Sequence, residues 1–128
     1  MAEELSMIRP EEIHSRFATA FNSGNLDAIM ALYEPEASLV PQPGQVVQGR
    51  DAIRQALLQF LALKGTMQVK SIFRVHGPGL VLMRGQWKLT GTGPDGKPIE
   101  MMGQSVEVVR QQPSGEWLLA VDHPFGAD

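Results

Sequence analysis

No cysteine occurs in this sequence, which excludes disulfides, thiolate metal sites and cysteine nucleophiles. An excess of basic charge is also missing. The net charge is −3 with both signs interspersed, so there is no concentrated basic face of the kind nucleic acid selects. No apolar run approaches the ~20 residues that span a bilayer. The opening Met1-Ala2-Glu3-Glu4 is acidic and has no basic stretch before an apolar core, so a secretory signal is not expected. His14, His76 and His123 lack ligand spacing such as H-x-x-x-H, and no metal site or cofactor is expected. There is no G-x-S-x-G motif. Gly91-Thr92-Gly93 runs into Pro-Asp-Gly, a turn rather than a phosphate cradle opening a helix. Repeats, low-complexity stretches and like-charge tails are absent too. The chain therefore reads as a cytoplasmic protein without nucleic-acid or membrane partners.

What is present is apolar content of 43% over 128 residues, enough for one buried core. The reading is one domain over residues 1–128, with residues 1–9 a flexible or loosely packed segment. Pro10 suits a first helical position, and Glu11 and Glu12 face the positive end of that helix. Ile13, Phe17, Ala20 and Phe21 recur on one helical face, and Gly24 stops the helix. Asn25 caps a second helix, with Leu26, Ile29, Met30 and Tyr33 on its apolar side; Pro35 ends it at Tyr33-Glu34. Ala37 to Val40 reads as a short strand and Pro41, Pro43 and Gly44 as a loop. A third helix spans about Asp51 to Leu63, with Ile53, Leu57, Phe60 and Leu61 as its stripe.

The second half alternates with period two. Met67, Val69, Phe73 and Val75 read as one face of a strand, and Val81, Met83, Trp87 and Leu89 as one face of the next. Ile99 to Arg110 and Trp117 to His123 follow, separated by Gly/Pro turns. Consecutive hairpins imply an antiparallel meander, hence an α+β fold. Three amphipathic helices need one sheet face to cover. A twisted, curved sheet wraps around them as a half-open cone with a cavity on its concave side. Apolar residues on the convex side would need a partner, which suggests a homodimer through the sheet.

Three segments carry a resemblance: Phe21-Asn22-Ser23-Gly24-Asn25-Leu26-Asp27, then Leu32-Tyr33-Glu34-Pro35-Glu36-Ala37, then Gly49-Arg50-Asp51-Ala52-Ile53. A closing strand, Gly115-Glu116-Trp117 through Pro124, looks like the "G-x-W" last strand of SnoaL-like proteins. In this order the chain resembles the nuclear-transport-factor-2-like superfamily, which includes SnoaL-like polyketide cyclases and ketosteroid isomerase. The resemblance implies a cone-shaped α+β fold with a pocket. It leaves the reaction open, because the superfamily hosts isomerases, cyclases, dehydratases and non-catalytic association modules. Ketosteroid isomerase needs an Asp base and an oxyanion hole of Tyr and protonated Asp. The resemblance places the tyrosine at Phe17, the base at Pro41 and the oxyanion aspartate near Ser105, so that mechanism is not expected here.

The expected function is binding of a mainly apolar small organic molecule in the cone, with acid/base isomerase, cyclase or dehydratase chemistry; the alternative is a dimerising association module. His123 is the candidate general base, placed on the face of Trp117, Leu119 and Val121. Gln104 and Tyr33 are candidate hydrogen-bond donors to the ligand, Tyr33 from the end of the second helix, and Gln86 is a further neutral group. Phe17, Phe21, Phe60, Trp87 and Met102 are expected to line the pocket. Asp122 is assigned to the face opposite His123, as an acceptor for an arginine or a turn. Glu107 and Arg84 are expected to form a cross-strand ion pair. His14 is assigned to the solvated side of the first helix and His76 to the polar face near a turn.

Overall fold

The computed structural model describes residues 7–128. A short 3-10 turn, Pro10–Glu12, leads into helix α1, Ile13–Asn22. Helix α2 is Leu26–Met30, followed by strands β1, Tyr33–Gln42, and β2, Gln45–Gln48. Helix α3, Arg50–Leu61, precedes β3, Thr66–Gly77, β4, Leu80–Thr92, β5, Pro98–Gln111, and β6, Trp117–His123. Gly24 closes α1 with φ of 68°, the left-handed conformation that favours glycine. Asn25 Oδ1 then accepts from the Ala28 N–H at 3.0 Å and caps α2.

All six strands form one curved, unclosed sheet in the order β2-β1-β6-β5-β4-β3. From β3 to β6 it is the meander that the turns imply. β1 adds beyond β6 in the parallel sense, and β2 closes a hairpin on β1. Neither pairing was expected from the alternation. Helix α1 packs on β3 and α3 on β1. Asn22 clamps α1 to the sheet: its Nδ2 donates to the Met67 carbonyl at 3.0 Å and its Oδ1 accepts from the Met67 N–H at 2.7 Å. Ile13, Ile29, Leu39, Ile53, Met83 and Leu89 are fully buried between these layers.

Two bulges set which side chains face inward. In β3, Ser71 stands opposite Gly85 and Phe73 opposite Arg84, leaving Ile72 as an extra residue. A single inserted residue reverses the phase of a strand. Met67 and Val69 therefore face the helices, whereas Phe73 and Val75 are exposed on the convex side. The expectation that all four share one face is corrected. In β6, Val121 stands opposite Val108 and Leu119 opposite Val109, so Ala120 is the extra residue. Leu119 and Asp122 consequently face inward, and Val121 and His123 face outward.

Several boundaries also move. Helix α2 ends at Met30, and Tyr33 opens β1 rather than closing the helix. Pro35 lies inside β1, between Tyr33 and Ser38, where pairing with β6 breaks register and a missing N–H is tolerated. β1 continues through Pro41, leaving Pro43-Gly44 as the turn. Helix α3 stops at Leu61, short of Leu63. Residues 1–6 lie outside the described residues. Ile8 is buried, and its carbonyl accepts from the Trp117 N–H at 3.0 Å, so loose packing does not extend to that residue. Among the described residues no helix is long and apolar enough to cross a membrane.

Candidate functional site

Between the helices and the concave sheet lies a cavity of about 70 Å³. Phe17 and Phe21 of α1, Phe60 of α3 and Trp87 of β4 form its aromatic wall. The two phenylalanine rings stack with centroids 6.3 Å apart. Trp87 donates its indole N–H to the Pro124 carbonyl at 2.7 Å, and Phe125 meets the indole edge-on at 5.4 Å.

The floor is polar. Tyr33 donates its hydroxyl to Oδ2 of Asp122 at 2.6 Å. His14 Nε2 lies 2.9 Å from Oε1 of Glu107, and His14 Nδ1 lies 2.7 Å from the Ser71 hydroxyl. Glu107 and Asp122 are direct cross-strand partners on β5 and β6, which sets their side chains side by side. Each is 6% exposed, as is His14, and Ser105 beside them is 3% exposed. Among the described residues the second oxygen of each carboxyl and the Ser105 hydroxyl have no hydrogen-bond partner. All three residues border the cavity.

Gly85 makes this floor possible. It faces inward in the middle of β4, opposite both Ser71 and Ser105. A methyl group there would stand 3.0 Å from His14 Cε1 and 3.0 Å from Ser105 Oγ. The imidazole approaches the sheet this closely because the position has no side chain.

Burial governs the electrostatics. Loss of water pushes the Asp122 carboxyl up to about 7, with the neighbouring Glu107 charge adding to the rise. The Tyr33 hydrogen bond and His14 oppose that rise. Tyr33 is raised well above the usual phenol value, first by burial and then by the Asp122 charge. A phenol held neutral, a carboxyl near neutral pKa and a second carboxyl braced by imidazole thus converge in an apolar enclosure. Such a set can give and take a proton at one place.

Three of these groups were assigned elsewhere by sequence. His14 is buried, not solvated: it sits three and seven residues before Phe17 and Phe21, on the edge of the same helical stripe. Glu107 does not pair with Arg84. Adjacent register rows put Glu107 opposite Met83, facing inward, and Arg84 opposite Val106, facing outward. Arg84 instead lies over the Phe73 ring at 5.7 Å and donates to Gln104 Oε1 at 3.4 Å. Asp122 faces the cavity and accepts from Tyr33 rather than from an arginine or a turn. Tyr33 does project into the site, but from β1.

Four candidates, His123, Gln104, Gln86 and Met102, lie outside the cavity. His123 faces away because the Ala120 bulge reverses β6; its Nδ1 accepts from the Phe125 N–H at 3.3 Å. Gln104 pairs with Gln86 across the convex face. Met102, on the same face, is 60% exposed. His76 is exposed near the β3–β4 turn.

A curved sheet wrapped around three helices, with a polar-floored apolar cavity, defines a cone-shaped pocket protein of the nuclear-transport-factor-2-like class. The model of the SnoaL-like domain matches residues 14–115, and the chain belongs to that family. Among solved structures, a ketosteroid isomerase-like protein from Erwinia carotovora atroseptica is 23% identical with a TM-score of 0.78, over 96% of this chain and 95% of that one. A dehydratase candidate of the NTF2-like family from Streptomyces avermitilis is 19% identical with a TM-score of 0.72, over 91% and 94%. A candidate calcium/calmodulin-dependent protein kinase type II association domain from Thiobacillus denitrificans is 19% identical with a TM-score of 0.74, over 91% and 94%. At these identities the likeness is one of fold. No curated protein matches the sequence.

Proposed function

We propose that this protein binds a small organic molecule with a mainly apolar body in the cone and acts on it by proton transfer, as in an isomerisation, cyclisation or dehydration. One observation carries this reading: Tyr33–Asp122 and His14–Glu107 meet at the floor of an otherwise apolar cavity. Asp122 is the proton carrier, since a carboxyl near 7 populates both protonation states at neutral pH. Tyr33 orients Asp122. His14 is a positioning residue, because both ring nitrogens are already engaged by Ser71 and Glu107. Ser105 offers a hydroxyl to a polar group of the ligand, and the aromatic wall excludes water. The volume of about 70 Å³ favours a compact ligand, since drug-sized sites run to roughly 300 Å³ or more. Fold neighbours named as a dehydratase candidate and as ketosteroid isomerase-like agree with chemistry of this class.

Trp87 and Trp117 are the two tryptophans, and only Trp87 borders the cavity. A screen of compact ketones, alcohols and amines by proton–nitrogen NMR is therefore expected to shift the Trp87 indole signal and leave that of Trp117 in place. Filling the cavity with Ser105→Phe should abolish the response. If no compound moves the Trp87 signal selectively, the ligand-site reading is lost.

A second reading is favoured by a separate observation. Val75, Leu82, Val108 and Val121 fall in one register row across the convex face, and three of them, Val75, Leu82 and Val121, are exposed. Such an apolar row fits a homodimer through the sheet, as an association module would use. A fold neighbour carries an association-domain name.

A further inference from the structure

The charge balance of the cavity narrows the ligand. Two acids, Glu107 and Asp122, border it, and among the described residues that line it there is no lysine or arginine. His14 is the one basic group at the floor, and neither of its nitrogens is free to meet a ligand. The unengaged atoms are Asp122 Oδ1, Glu107 Oε2 and the Ser105 hydroxyl, all on residues more than nine-tenths buried. Buried polar atoms without partners are costly. Among the described residues the buried side-chain atom in that position is Arg84 Nε, outside the cavity, whereas these three border the cavity and are all acceptors or can accept. A ligand that donates hydrogen bonds would satisfy them, whereas a carboxylate or phosphate would be repelled by both acids.

The walls point the same way. Phe17, Phe21, Phe60 and Trp87 surround the space above the acids, and aromatic rings attract organic cations. An inorganic cation is a poorer fit, because among the described residues no three His, Asp or Glu side chains converge as a metal-ligand set.

We propose that the occupant of this cavity is a compact organic ammonium ion, a protonated amine with an apolar or aromatic body, whose N–H groups reach Asp122, Glu107 and Ser105. This rests on the reading of the cavity as a ligand site and specifies its chemistry. The ionisable groups facing Asp122 are Tyr33 from β1, Glu107 from β5 and His14 from α1; α3 and β4 contribute only apolar or aromatic side chains to the lining. A cation placed beside Asp122 favours its ionised form, so binding is accompanied by proton release and strengthens as the medium becomes less acidic.

The test compares benzylammonium, benzyl alcohol and benzoate by calorimetry and by the Trp87 indole signal. Benzylammonium is expected to bind at least ~10-fold more tightly than the alcohol, with benzoate weakest. Its affinity should rise from about pH 6 to about pH 8 while that of the alcohol stays level. Asp122→Asn should weaken benzylammonium more than benzyl alcohol and so bring the two affinities together, and Glu107→Gln should do so in part. Alcohol or benzoate binding as tightly as the ammonium would overturn the proposal and leave the ligand cavity standing. Failure of all three to move the Trp87 signal would remove both.

Discussion

The hydroxyl of Tyr33 stands 2.6 Å from Oδ2 of Asp122, so the first residue of β1 holds the penultimate residue of β6. Both are buried, and the bond crosses the parallel seam of the sheet. Tyr33→Phe keeps the ring and removes the donor. The carboxyl then lacks its partner, at a loss of about 1–3 kcal/mol. The hydrogen bond favours the charged form of Asp122, so the loss should be larger near pH 8 than near pH 5. Urea denaturation at the two pH values measures it, and equal losses would show that Tyr33 does not act through the carboxylate.

Asp122 itself should impose a pH dependence of definite sign. Its folded value, about 7, lies above its ordinary value of 3.8. Below the ordinary value both folded and unfolded chains hold the proton and nothing is lost. As pH rises through this window the unfolded chain ionises first, so stability falls, and the loss is complete above about pH 7. Asp122→Asn removes the ionisation. The variant should be more stable than wild type above pH 7 by roughly 2–4 kcal/mol, less whatever the altered Tyr33 bond takes away, with no such gain near pH 4. Thermal denaturation across that range checks both sign and window.

Gly85→Ala tests the floor from the sheet side. The added methyl would press on His14 Cε1 and Ser105 Oγ, each 3.0 Å away, and the imidazole is held in place by Ser71 and Glu107. Overpacking of this kind costs about 1–3 kcal/mol. Imidazole nitrogen resonances should change, because the ring must leave Ser71 or Glu107. An unchanged spectrum with full stability would mean that the ring is not held against Gly85.

Much of the fold can be read from periodicity, because apolar stripes and turn residues report it directly. Asn25, Gly24 and the 3.6-residue spacing of Ile13, Phe17 and Phe21 place helices and caps correctly. Phe17 and Phe21 of the aromatic wall follow from the same stripe, Phe60 from the stripe of α3 and Trp87 from the alternation of β4. The polar floor was hidden for a different reason. Side-chain phase in a strand holds only until a bulge, and the extra residues Ile72 and Ala120 reverse β3 and β6. Counting by twos from Trp117 puts His123 in the cavity and Asp122 outside, the inverse of what is found. In β5, apolar residues fall on both faces, Val109 inward and Val106 and Val108 outward, so alternation alone cannot say which way Glu107 points. His14 was legible in principle: its spacing from Phe17 and Phe21 is helical, and a polar residue on an apolar stripe signals a buried partner.

Reassignment of the site from His123 to the Asp122 side of β6 has a direct consequence. His123 is half-buried on the convex face, and its described side-chain hydrogen bond is to the Phe125 N–H. His123→Ala should therefore change stability by no more than about 1 kcal/mol and leave the Trp87 response to ligand intact. Loss of that response on removing His123 alone would return the site to the strand end.

The convex row makes the last prediction. Val75 and Leu82 are register partners on β3 and β4, exposed by 56% and 40%. Opposite charges at directly paired positions are tolerated within one sheet, so Val75→Glu with Leu82→Lys should leave the protomer's melting temperature nearly unchanged. In a sheet-to-sheet dimer the same pair would place charges into an apolar contact and weaken it severely. Light scattering after size exclusion is expected to give a dimer for wild type and a monomer for the double variant. If ligand binding at Trp87 survives in that monomer, cavity and convex face act independently, and the association role would stand beside the chemistry of the cone. A wild-type monomer would leave the apolar row without its proposed partner.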